Sequence, residues 1–99
     1  MSDNNKPRNI NYEMADALRL LGDDYTTTEV DCDPGDSAIR ITKRNSEKTL
    51  YIIAYSEPAT TEMHLYDGPG SLITYHVFYD SALDDSTPED IADYIISSF

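Results

Sequence analysis

Ninety-nine residues, 39% of them hydrophobic and 26% charged, describe one small globular domain able to bury about 60–70% of its extended-chain surface. A net charge of −12, with an isoelectric point near 4.1, disfavours direct contact with nucleic acid or anionic membranes and favours a basic protein partner. No apolar run approaches the roughly 20 residues that span a bilayer, the polar start Met1-Ser2-Asp3-Asn4-Asn5-Lys6-Pro7 is unlike a signal peptide, and the single Cys32 excludes an internal disulfide; a cytoplasmic protein is expected.

Residues 1–9 are polar and read as a tail, leaving 10–99 as a single domain. Asn11 suits the N-cap of a helix running to about Leu21. Met14, Ala17, Leu18 and Leu21 then share one face, and Gly22 occupies the C-terminal stop position. Five strand-like runs follow. Tyr25–Cys32 and Ser37–Lys43 flank Asp33-Pro34-Gly35-Asp36, where Pro and Gly suit the centre of a type II turn. Arg44-Asn45-Ser46-Glu47 leads into Lys48–Ser56, the most continuously apolar run. Both of its alternate sets (Leu50, Ile52, Ala54 and Tyr51, Ile53, Tyr55) are non-polar, the pattern of a central strand. Glu57-Pro58-Ala59-Thr60 leaves it, and Asp67-Gly68-Pro69-Gly70 joins Thr61–Tyr66 to Ser71–Tyr79. Thr87-Pro88-Glu89-Asp90 opens a second helix with an N-cap, a first-turn proline and acids on the positive dipole end. Its apolar stripe is Ile91, Ile95 and Phe99, widened by Ala92 and Ile96. The expected fold class is α+β: two layers, with a five-stranded antiparallel meander sheet and one N-terminal and one C-terminal helix.

Reading every turn as a four-residue loop sets a register. Val30 faces Ile39, Ile41 faces Leu50, Ile39 faces Ile52, Ala54 faces Met63, and Leu65 faces Leu72. One apolar face results: Val30, Ile39, Ile41, Leu50, Ile52, Ala54, Met63, Leu65, Leu72 and Phe78. The other face carries Glu29 opposite Arg40, together with Tyr25, Tyr51, Ile53, Tyr55, Glu62, His64, Tyr66, Ile73, Tyr75, Val77 and Tyr79. Which face the helices cover stays open at this point.

Little of this points to chemistry. His64 and His76 are the only imidazoles and fall on opposite faces, so no metal site is expected. Cys32 has no base close in sequence, and reads as a small half-buried residue. The run from Asp31 to Asp36 starts like a calcium loop, but its glycine is one place early and its twelfth position is Thr42 rather than Glu. No phosphate-binding glycine loop and no nucleophile elbow is present. The expectation is a protein without catalytic residues or cofactor.

Two features suit a binding surface. All seven Lys and Arg lie at or before Lys48, whereas the chain from Thr49 onward has nine acids and no Lys or Arg. The acids gather as Asp23, Asp24, Asp31, Asp33 and Asp36, and as Asp80, Asp84, Asp85, Glu89, Asp90 and Asp93. The second feature is the aromatic set Tyr51, Tyr55, Tyr66, Tyr75 and Tyr79, since tyrosine is amphipathic and rigid. The order of an N-terminal helix, Asp24-Tyr25-Thr26, a polar turn, Ile39-Arg40-Ile41 and then Tyr51–Glu57 resembles small acidic phage anti-CRISPR proteins that act as DNA mimics. The resemblance covers residues 1–57. It implies a viral, non-enzymatic inhibitor in the host cytoplasm that occupies the basic, nucleic-acid-binding surface of a target protein, as a monomer or homodimer. The alternative is an adaptor, chaperone-like or toxin-immunity module that binds its partner through the tyrosines.

Overall fold

The computed structural model describes residues 10, 14–56, 59–68, 70–79 and 85–99. Helix α1 (Ala15–Arg19) precedes strands β1 (Tyr25–Val30), β2 (Ser37–Lys43), β3 (Lys48–Ser56), β4 (Ala59–Asp67) and β5 (Leu72–Tyr79), and helix α2 (Pro88–Ser98) closes the chain. The strands form one antiparallel sheet in sequence order, with β3 at its centre. Both helices pack on the same side of it, giving the two-layer α+β fold that the pattern predicts.

Around α1 the helical turn extends beyond its five residues. The Met14 amide donates to the Ile10 carbonyl at 3.0 Å and Leu18 to Met14 at 2.9 Å, which stacks Ile10, Met14, Ala17 and Leu21 along one buried stripe. The last turn tightens, with Leu20 donating to Ala17 and Leu21 to Leu18, and Gly22 then leaves the helix at φ 90°. That tightening ends α1 short of the expected Leu21. The expected Asn11 cap lies outside the described residues. A second anchor ties this segment to the sheet: the Ile10 amide donates to Ser37 Oγ at 2.7 Å.

The core is aliphatic. Ile39 and Ile41 of β2, Leu50, Ile52 and Ala54 of β3, and Met63 and Leu65 of β4 lie under Ile10, Met14, Leu21, Ala92 and Ile95. Burying each large side chain stabilises the fold by about 1.5–3 kcal/mol. Helix α2 reaches this layer through a capping box: Thr87 Oγ1 accepts from the Asp90 amide at 3.1 Å, and the Asp90 carboxylate accepts from the Thr87 amide at 3.5 Å. Thr87→Ala should cost about 0.5–2 kcal/mol in a urea unfolding series, and an unchanged midpoint would show that the cap is idle. Ile96, expected to widen the stripe, is 40% exposed. Tyr94 takes that place, its ring 5.7 Å from Phe78 and 5.3 Å from His76.

The central pair follows the expected register, with Ile41 opposite Leu50 and Ile39 opposite Ile52. The other three differ, each for a local reason. Between β1 and β2 the shift is one residue: Val30 pairs with Ala38 rather than Ile39, and Thr28 rather than Glu29 sits opposite Arg40. An odd shift exchanges the faces of β1. Tyr25 therefore turns to the helix side, its ring edge-on to Phe99 at 5.5 Å, while Val30 moves to the other face. The Tyr-Thr-Thr-Thr-Glu-Val sequence offers one large apolar group to each side, so alternation alone has no preference there. Between β3 and β4 the shift is two residues: Ile52 faces Met63, and Ala54 faces Thr61 instead of Met63. Ser56 pairs with Ala59, so the chain turns in two residues rather than four, and an even shift keeps both faces intact. Between β4 and β5, Leu65 faces Thr74 rather than Leu72, and an irregularity brings Leu72 opposite Tyr66. Leu72, expected in the core, is instead 52% exposed.

Candidate functional site

With both helices on the Ile52 side, no described element covers the opposite face of the sheet. Alternation along the strands places its side chains. Strand β2 contributes Arg40 and Thr42, β3 contributes Thr49, Tyr51, Ile53 and Tyr55, β4 contributes Glu62, His64 and Tyr66, and β5 contributes Tyr75 and Val77. Cross-strand contacts hold the aromatic rings in fixed poses. Tyr51 and Tyr66 meet edge to face at 5.5 Å, and His64 and Tyr75 lie tilted at 5.6 Å. His64 Nε2 is 2.8 Å from Glu62 Oε1, which fixes the imidazole plane.

Among the described residues, two hollows mark this surface. The larger, about 820 Å³, is lined by Arg40, Tyr51, Ile53, His64 and Tyr66, with Thr26, Thr28, Thr42 and Thr49 among the remaining walls. The smaller, about 440 Å³, shares Tyr51 and Ile53, adds Val30, Ala38 and Tyr55, and is closed by Asp31, Cys32, Asp33 and Asp36. The acidic loop is held there by Asp36. Its Oδ1 accepts from the Ser56 amide at 2.8 Å and from Ser56 Oγ at 3.1 Å, and the Asp36 amide donates to the Asp33 carbonyl at 3.0 Å. Gly35 at φ 89° makes the turn possible, as its Pro-Gly sequence suggests.

The carboxylates give this end of the face a negative potential. Cys32 is exposed as a residue, yet partial burial of its thiol, together with Asp36, Asp33 and Asp31, pushes its pKa up. Burial and then Glu62, Asp36 and Asp33 push the Tyr55 phenol up as well. A raised thiol pKa is the reverse of what a nucleophile needs. Alkylation of Cys32 at pH 8 should run slower than that of free cysteine. Asp31→Asn with Asp33→Asn should accelerate it by lowering the pKa; an unchanged rate would remove the local field.

The structure separates the acids that the sequence groups together. Asp31, Asp33 and Asp36 border the open face, whereas Asp85, Glu89, Asp90 and Asp93 belong to α2 and its approach, on the helix side of the sheet. Asp23 and Asp24 are exposed in the α1–β1 connection. Asp80 and Asp84 lie outside the described residues, as does the side chain of Tyr79. Of the tyrosines assigned to the face, Tyr51, Tyr55, Tyr66 and Tyr75 are on it, and Tyr25 is not. His64 and His76 are on opposite sides, as expected: His76 meets Phe78 edge-on at 4.3 Å on the α2 side, 5.3 Å from Tyr94. Among the described residues no cluster of three or more metal-ligating groups occurs, and zinc added to the protein should leave its melting temperature unchanged. A rise that EDTA reverses would overturn this. The expected register already puts Arg40 and Ile53 on this face, and Thr42 and Thr49 follow by the same alternation, whereas Thr26 and Thr28 reach it only through the one-residue shift of β1.

No family model, no curated protein and no solved structure matches this chain. No helix among the described residues is long and apolar enough to cross a membrane.

Proposed function

We propose that this chain is a non-enzymatic binding protein that takes up a basic protein partner on its open sheet face. The observation that carries the reading is the one-sided packing: both helices cover the aliphatic side, leaving Tyr51, Tyr55, Tyr66 and Tyr75 uncovered beside Asp31, Asp33 and Asp36. Tyrosines held in place by their neighbours form a contact surface at little entropic cost. Lysine and arginine side chains complement both parts of it, their stems lying on Ile53 and the rings and their charges meeting the ring faces and carboxylates.

In its more specific form the partner is a nucleic-acid-binding protein, and the chain inhibits it by occupying the surface that holds the nucleic acid, as anti-CRISPR DNA mimics do. Support comes from the net charge of −12, the stretch without Lys or Arg after Lys48 and the resemblance over residues 1–57. An adaptor would use the same tyrosines without depending on charge. Competition separates the two. The protein is immobilised, loaded with a captured partner, and challenged with duplex DNA and with rising salt. Release by both supports inhibition of a nucleic-acid site. Retention in high salt and indifference to DNA would sink it in favour of the adaptor.

A further inference from the structure

Strand β5 is one edge of the sheet, and among the described residues no strand lies beyond it. An edge strand offers an outward row of N–H and C=O groups to any chain able to pair with it. Proteins normally blunt such edges with lysine, proline, an inward charge or a very short strand. None of these protects β5. It runs for eight residues, and from Ser71 to Tyr79 the sequence has no Lys, Arg, Asp, Glu or Pro. Leu72, Ile73 and Tyr75 are 52%, 48% and 59% exposed, among the most exposed large apolar side chains of the described residues. The irregularity near Leu72 sits at the hairpin end, and from Thr74 to Tyr79 the strand keeps one register with β4. The opposite edge differs: β1 is half threonine, carries Glu29, and lies between Asp23-Asp24 and Asp31.

We propose that β5 pairs antiparallel with β5 of a second copy across a two-fold axis, joining the two sheets into one. Charge selects this occupant. A basic partner finds no carboxylate on β5, whereas two copies of a strongly acidic chain can meet along their one uncharged edge without bringing like charges together. Self-pairing is also matched in side chains. Residues directly opposite in an antiparallel pair share a face, so Ile73, Tyr75 and Val77 of each copy meet the same set from the other. On the helix side Thr74, His76 and Phe78 do likewise. The two open faces then lie on the same side of one continuous sheet.

Sedimentation equilibrium from about 1 µM to 1 mM, the range in which a small, largely main-chain interface dissociates, tests this. Wild-type protein should pass from monomer to dimer mass, and the dimer should tighten with salt, because its seam is uncharged while the remaining surfaces repel. Partner binding on the acidic face responds to salt in the opposite sense, so the two ideas fail independently. Tyr75→Lys should abolish the dimer with an unchanged circular dichroism spectrum, and Ile96→Lys, a change at an exposed apolar position on α2, should leave it intact. In the wild type, hydrogen exchange at β5 amides should slow as concentration rises while β1 amides do not. A monomer mass throughout, a dimer that survives Tyr75→Lys, or β5 amides protected only when another protein is added would each overturn the proposal.

Discussion

Ile52→Ala should destabilise the protein by about 2–5 kcal/mol, a large fraction of the 5–15 kcal/mol available to a small domain. Ile52 is fully buried at the centre of the middle strand, with Ile39 opposite on one side and Met63 on the other. The roof above this layer includes the buried Met14, at the N-cap of α1, and the buried α2 residue Ile95. Truncation leaves a cavity that two flanking strands and two helices would have to collapse together to fill, so little relaxation is available. Its neighbour Ile53 has the same chemistry but points to the open face and is only half-buried. Ile53→Ala should therefore cost well under half as much. A urea series on both variants measures the contrast as a difference in midpoint at unchanged slope. Equal losses would mean that something covers the open face in solution.

Asp31→Lys with Asp33→Lys should weaken binding of the basic partner at least tenfold, about 1.4 kcal/mol. Both side chains are exposed beside the smaller hollow, and neither carries the hydrogen bonds by which Asp36 ties the loop to Ser56. The fold should therefore tolerate the change. The loss should shrink as salt rises, because screening already weakens the wild-type attraction. The matching reversal on the helix side, Asp85→Lys with Asp93→Lys, should have a smaller effect. Glu89 and Asp90 are left alone there, since they serve the N-terminus of α2 and would confound binding with folding. The opposite order of effects, measured by titration calorimetry, would move the site from the open face to α2.

Much of this architecture is legible in the residues themselves. The number of strands, their antiparallel order, both helices and the Thr87 cap follow from local signals: alternation, turn chemistry and capping residues act over a few positions and need no distant partner. The central register is equally legible, because an odd shift would turn Leu50 and Ile52 away from Ile39 and Ile41, and the four-residue Arg44-Asn45-Ser46-Glu47 turn selects among the even ones. Strand β1 is different. Its two alternate sets are nearly equal in apolar content, so contact with Phe99, 74 positions away in sequence, settles that Tyr25 faces the helices. The tight turn after Ser56 and the irregularity opposite Tyr66 shift the later pairings for the same kind of reason, since loop length is fixed by how strands fit and not by how many turn-forming residues stand between them. The candidate site is the clearest case. Strand β3 is apolar on both sides and gives no sign of which side is left bare. That choice belongs to tertiary packing. The aliphatic stripes of the two helices fit the branched Ile39–Ile52 side closely and leave outside the tyrosines, whose hydroxyls would cost more to bury than a methyl group.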